Sequence, residues 1–203
     1  MERGYIGDRM QWTSLGFNGL NGRAQFHADG MPGDRWSKYF NGWLKPWKES
    51  GNYILLCGQV RGDASVRHID IHRWLKNMEH LCRATYPEAR VRYRPHPIEV
   101  QRKSYKTLKG VELSTRSLEE DLAEAAVCIT YSSNVGVDAV LAGVPVIAVD
   151  PGSMVYHLAS HNINEPPVRP NRTQWAHNMA YCQWTFDEIA NGDAWEHLKR
   201  RYQ

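Results

Sequence analysis

Residues 127–150 read VCITYSSNVGVDAVLAGVPVIAVD. An apolar run stops at two serines and an asparagine. A short apolar stretch follows, Gly143 and Pro145 close it, and a second apolar run ends on Asp150. Continuous apolar runs of this length suit strands buried on both faces of a sheet. The stretch between them ends as helices end, on Gly and then Pro. Strand, helix, strand in turn marks an α/β layered fold with a parallel sheet.

The rest of the chain repeats the pattern. YILLC, between Gly51 and Gly58, reads as a strand, and the loop GQVRGDAS follows it. From Val66 to about Arg83 the apolar residues Ile69, Trp74, Leu75, Met78 and Leu81 recur at roughly helical spacing. ARVRYRPHP is a second strand, stopped by its prolines, and KGVELST a short third. Ser117, with Glu120 three residues on, has the spacing of a capping box and opens a helix. AVCITY and PVIAVD are the fourth and fifth strands. Beyond Ser153 the chain reads as helical pieces, broken at PPVRP. Residues 1–50 show no sustained period and are rich in Gly, Asn and Trp, so they are expected to be ordered by packing against something else. The expected division is an irregular segment, 1–50, packed on a Rossmann-like α/β lobe, 51–203, that ends in helices.

Bulk composition excludes little. With 203 residues the chain suits one large domain or two small ones, and a formal charge of +3 gives no argument for nucleic acid. No apolar run reaches transmembrane length and Met1 opens no signal-peptide pattern. The four cysteines are widely spaced with no CxxC pair, and two of them lie in apolar strands. Buried free thiols in a reducing, cytoplasmic setting are expected.

In a parallel sheet, ligands bind beyond the carboxyl ends of the strands. Ser132, Ser133 and Asn134 lie at such an end and open a helix, where unpaired N–H groups and a partial positive charge attract phosphate. Asp138 lies about one turn further in, where a carboxylate can accept hydrogen bonds from ribose hydroxyls. An ordinary capped helix needs the same residue types, so this segment alone leaves both readings open. RYRPHP adds Arg94 and His96 at a second strand end, on a backbone fixed by prolines. GQVRGDAS adds Gln59 and Asp63 at a third. Three loops converging on one edge point to an anion site. HIDIH puts His68 and His72 on one helix face with Asp70 off it, which is not read as a metal centre. No P-loop, GxGxxG or GxSxG occurs, and no metal or other cofactor is expected. The basic end HLKRRY reads as a helix carboxyl terminus meeting its dipole.

RPHP, followed by YSSNVGVDAVLAGVPVI, resembles the carboxyl-terminal, donor-binding lobe of GT-B glycosyltransferases, and within these the capsule polysaccharide synthesis group that includes Kdo (keto-deoxy-octulosonate) transferases. ILLCGQVRGDASV and YCQWTFDEIANGDAW resemble the same group, and ERGYIGDRMQWTSLGFNGLNGRA resembles its junction between lobes. The resemblance implies glycosyl transfer from a nucleotide-activated sugar, with phosphate contacts from Ser132, Ser133 and Asn134. It implies a ribose or base contact from Asp138, where the group usually has Glu, and donor contacts from Arg94, His96, Gln59 and Asp63. On this reading His96 serves as acid or supports the leaving oxygen, and Asp63 is the base within the chain. No DxD motif occurs, so no obligatory divalent ion is expected.

GT-B enzymes have two Rossmann-like lobes, and only about fifty residues precede Tyr53. A fragment, a half completed by a partner lobe or by self-association, and a non-catalytic donor-binding module stay open, as does a sugar-nucleotide epimerase of the same architecture. The acceptor is a glycan, a lipid-linked glycan or a modified base in DNA. Residues 1–50 are expected to cover part of the crevice near RPHP.

Overall fold

The structure, a computed structural model, describes residues 1–199. Its first elements are strands β1 (Glu2–Arg3) and β2 (Trp12–Ser14) and helix α1 (Asp34–Tyr39). An alternating run follows: β3 (Tyr53–Cys57), α2 (Ile71–Thr85), β4 (Val91–Arg94), α3 (Pro97–Gln101), β5 (Glu112–Leu113), α4 (Leu118–Glu124), β6 (Ala125–Thr130), α5 (Val135–Leu141) and β7 (Val146–Ala148). The chain ends in α6 (Thr173–Ala180), β8 (Gln183–Thr185), α7 (Phe186–Ala190) and α8 (Asp193–Lys199). Two units result, one of Lys45–Arg169 and one of Met1–Leu44 with the described residues from Pro170 onward. Of the basic end HLKRRY, residues 200–202 lie outside the described residues.

The Lys45–Arg169 unit is the expected α/β layer. Its five strands are all parallel, in the order β5-β4-β3-β6-β7. Counted within the unit this is 3-2-1-4-5, the order of a Rossmann-like sheet. All five residues of β3, the central strand, are buried, as its unbroken apolar run requires. The capping box at Ser117 and Glu120 forms as the spacing predicts. After α5, Gly143 takes φ +78, and a Cβ there would lie 1.9 Å from the Pro46 carbonyl oxygen, so only glycine fits. One expectation shifts. Asp70 caps α2 by accepting from the His72 and Arg73 amides, so the helix starts later than the sequence pattern implies. Its core face is Ile71, Leu75, Met78 and Cys82, and Leu81 is exposed.

Asp121, the most deeply buried carboxylate of this unit, holds the β4 side of the sheet. It has no exposed surface, lies 3.4 Å from Arg92 Nη1, and accepts from Arg94 Nη1 at 2.8 Å and Ser114 Oγ at 2.5 Å. Arg92 also pairs with Glu112 at 2.7 Å and lies over the Tyr53 ring at 4.0 Å. Strand β4, the loop after β5 and the first turns of α4 therefore meet at one buried charge.

The other unit is a small antiparallel sheet, β1-β2-β8, joining strands from distant parts of the chain. The sequence reading found none of these strands, which are two or three residues long. Gln183, fully buried, substitutes for missing backbone pairing. Its Oε1 accepts from the Tyr5 and Ile6 amides at 2.6 and 3.0 Å, and its Nε2 donates to the Ile6 carbonyl at 3.2 Å. Arg35 lies over the Trp184 ring at 4.1 Å and pairs with Glu188 at 2.5 Å. Trp12 packs on Tyr39 and Phe40, both at 5.1 Å. Burial would raise the Glu188 carboxyl, but hydrogen bonds from Arg35, the Thr185 amide and Tyr39 outweigh it and hold the group at about 2.

Two outcomes follow. Asp121→Ala leaves Arg92 and Arg94 without their shared carboxylate, and urea unfolding should show a loss of about 3–5 kcal/mol; a loss within experimental error contradicts the pairing. For Glu188 the folded group is the stronger acid, so its stabilisation is present above the ordinary value of 4.5 and is lost as pH falls towards about 2. Glu188→Gln should remove that part of the acid sensitivity, read from the fluorescence of Trp184. An unchanged acid transition contradicts it.

Candidate functional site

The order of a Rossmann-like sheet reverses between its first and fourth strands, and the loops leaving those strands separate to open a crevice. Here that point lies between β3 and β6. Just beyond it, the Gln59 side chain closes on Ser132. Gln59 Oε1 accepts from the Ser132 amide at 2.8 Å and Nε2 donates to Ser132 Oγ at 3.3 Å. Both residues are buried. Two of the expected donor contacts thus touch each other at the point where the topology places a ligand.

A chain of contacts leads on from this pair. Gln59 Nε2 reaches Ser65 Oγ at 3.5 Å, and Ser65 gives its hydroxyl and amide to Asp63 Oδ1 at 2.7 and 2.9 Å. The Asp63 carboxylate, expected as a base, is therefore the cap of a short turn at Ala64–Val66, exposed to water. Ser133 folds the chain into α5. Its amide donates to Thr130 Oγ1 at 3.0 Å, and its own Oγ accepts from the Val135 amide at 3.3 Å. Asn134 occupies the N-cap position with no side-chain cap bond. The helix it opens has seven residues, so its dipole adds little, and any affinity for anions rests on the converging polar groups. Asp138 lies within the first turn, half-buried. The hydrogen bond between the Cys128 and Cys57 thiols, full burial and, last, the Asp138 charge raise the Cys128 thiol well above the ordinary range.

Arg94 and His96 leave β4 at the same edge. His96 Nδ1 accepts from the Ile98 amide at 3.2 Å, capping α3, so the neutral ring carries its proton on Nε2. Arg94 turns the other way, to β5 and α4. Its Nη1 donates to Asp121 and to the Arg116 carbonyl at 2.7 Å, while Nε and Nη2 make no hydrogen bond to the described residues. The guanidinium lines an open cavity of about 340 Å³ with Pro95, Val100, Ser114, Thr115 and Arg116. Fixed at one end by a buried carboxylate, it presents its remaining donors to that space.

Sequence reasoning missed Glu99, which binds these loops together. Almost fully buried, Glu99 accepts from the Arg61 amide at 3.0 Å and lies 3.2 Å from His72 Nε2. Burial raises its carboxyl, but the Arg61 amide and His72 more than compensate, and it is held below the ordinary carboxylate range. An acid in the first turn of a helix is unremarkable in sequence, and only its burial marks it. Also missed were Tyr131 and Asp150, which gather His68 at the ends of β6 and β7: His68 Nε2 lies 2.9 Å from Tyr131 Oη and 3.5 Å from Asp150 Oδ2. The three members of HIDIH take separate partners, His68 here, Asp70 as the α2 cap, and His72 on Glu99.

No family model matches the chain, and neither does any curated protein. Among solved structures it is similar to "Thermosulfurimonas dismutans KpsC, beta Kdo 2,4 transferase", at 19% identity and a TM-score of 0.49 over 74% of this chain and 53% of that one. It thus spans about half the length of that protein. It is also similar to "Thermosulfurimonas dismutans KpsC, beta Kdo 2,7 transferase", at 17% identity and a TM-score of 0.57 over 100% of this chain and 77% of that one. The second likeness covers the whole chain and is one of fold, and the fold it names is that of a Kdo transferase structure, in agreement with the resemblance carried by RPHP and YSSNVGVDAVLAGVPVI.

Proposed function

We propose that the chain is the donor-binding part of a GT-B-type glycosyltransferase and holds a nucleotide-activated sugar at the carboxyl edge of the parallel sheet. The observation that carries this reading is the meeting of Gln59 and Ser132 at the point where the strand order reverses, with the loops after β4 and β6 beside it. In a sheet of this order that crevice is where nucleotides bind. The fold likeness to a Kdo transferase structure supports the same reading.

In this proposal the Ser132, Ser133 and Asn134 segment faces the phosphate groups, and Asp138 takes a ribose or base contact. Arg94 offers Nε and Nη2 to the charge that develops on the leaving phosphate, and its bond to Asp121 holds it in place beforehand. His96, whose Nδ1 caps α3, acts as acid or supports the same oxygen. Gln59 and, through Ser65, Asp63 fix the shape of the crevice floor. The acceptor is a hydroxyl of a glycan, a lipid-linked glycan or a modified base in DNA, and a partner lobe or second copy completes the acceptor side.

Calorimetry with CMP-, UDP- and GDP-sugars, their free nucleotides and the bare nucleosides tests the reading. One class of nucleotide should bind. Arg94→Lys, which keeps a charge beside Asp121, should weaken nucleotide binding about 10–100-fold and leave nucleoside binding nearly unchanged. Equal losses for nucleotide and nucleoside, or no binding of any nucleotide, contradict the proposal.

A further inference from the structure

We infer that Glu99 is a positioning residue for the donor crevice and fixes the loop after β3 against the RPHP turn; this assignment rests on the donor-binding reading above. Three observations carry it. First, the carboxylate is sealed from water with both oxygens engaged. Its side chain is 5% exposed, Oε1 accepts from the Arg61 amide at 3.0 Å, and Oε2 lies 3.2 Å from His72 Nε2. A carboxylate can only accept, so His72 Nε2 carries the proton of that contact. Second, its partners come from other segments. Glu99 sits in the first turn of α3, just after the cap His96, whereas Arg61 lies in the loop after β3 and His72 in the first turn of α2. Third, the loop after β3 is held on its other side by the same device. Gln59, close to Arg61 in the chain, accepts from the Ser132 amide at 2.8 Å. One buried acceptor thus ties this loop to the turn after β6, and another ties it to the turn after β4.

Filling this space alone calls for an apolar side chain. A buried carboxylate is costly unless it is hydrogen-bonded, and an apolar residue of similar volume is often no less stable. What the carboxylate adds is geometry. It sets the Arg61 amide at hydrogen-bond length from α3, and with it the spacing between Gln59, Asp63 and His96, which the donor-binding reading places around the sugar nucleotide. Without that bond the Arg61 amide turns to water, and part of the binding free energy goes to ordering the loop again. Burial raises the Glu99 carboxyl, but the Arg61 amide and His72 outweigh it, so the group is a charged acceptor at neutral pH. Glu99 acts through these partners and not on the sugar nucleotide itself.

Amide hydrogen exchange and calorimetry on the full chain test the assignment, with the CMP-, UDP- or GDP-sugar that binds as the probe. In the native chain the Arg61 amide should be protected from exchange; an unprotected amide overturns the assignment whatever the variants do. Glu99→Met fills the same space without an acceptor. It should expose the Arg61 amide to exchange and raise the sugar-nucleotide Kd about 10-fold, the worth of one hydrogen bond to a charged group. Glu99→Gln keeps an acceptor for that amide and should return Kd to within about threefold of the native value. Met78→Ala opens a cavity on the core face of α2 and should lower the melting temperature with Kd unchanged. Thermal melting of all three variants verifies folding. An unchanged Kd in Glu99→Met, a Gln variant as weak as the Met variant, or an equal loss of affinity in Met78→Ala overturns the assignment. Those outcomes leave the donor-binding reading intact, because the native chain still binds. A native chain that binds no sugar nucleotide sinks that reading, and this assignment with it.

Discussion

Two parallel strands that end side by side leave their last backbone groups without a ladder, and a buried N–H with no acceptor costs about 1–3 kcal/mol. At the end of β3 and β6 the Gln59 amide takes over from the ladder. It accepts from the Ser132 backbone and donates to the Ser132 hydroxyl. The rest of the site is arranged around that substitution. The turn capped by Asp63 reaches Gln59 through Ser65, α5 starts directly after Ser132, and Tyr131 immediately before it receives His68. A polar side chain at this point lets the loops separate without orphaning their backbone, which an apolar residue cannot do.

The same logic applies at the β4 edge, where the buried group is charged. Asp121 is sealed from water and is stable there only because Arg92, Arg94 and Ser114 surround it. Arg94 therefore has a structural bond and an open side at once. A group held this way needs no reorganisation when charge appears near it. His96 Nδ1 caps α3. His68 Nε2 faces Tyr131 and Asp150.

Much of the parallel sheet was legible in the sequence because its strands are unbroken apolar runs bounded by Gly or Pro. YILLC became β3 and AVCITY became β6, nearly residue for residue. The capping box at Ser117 was equally local. The small sheet was not legible. Its strands have two or three residues, and its organising residue, Gln183, lies nearly the whole chain away from the amides it serves. Gln59, Arg94, His96 and Ser132 lie at strand ends, as the apolar runs that precede them let one read from sequence. It did not show that Asp63 would cap a turn, that Arg94 would face Asp121, or that Glu99 would be buried, because partner choice across loops leaves no periodic trace. It did mark His68, through HIDIH, but with the wrong neighbours: Asp70 and His72 lie near in sequence, whereas the structure supplies Tyr131 and Asp150.

The central claim is that a nucleotide-activated sugar occupies the crevice where the strand order reverses. Amide ¹H–¹⁵N spectra of the chain, titrated with the sugar nucleotide that binds, test it most directly. The account predicts shift changes concentrated at Gly58–Gln59, His96–Ile98 and Ser132–Val135, with slowed exchange of the Ser132 amide. Changes confined to residues outside those loops, or none at saturating ligand, would contradict it.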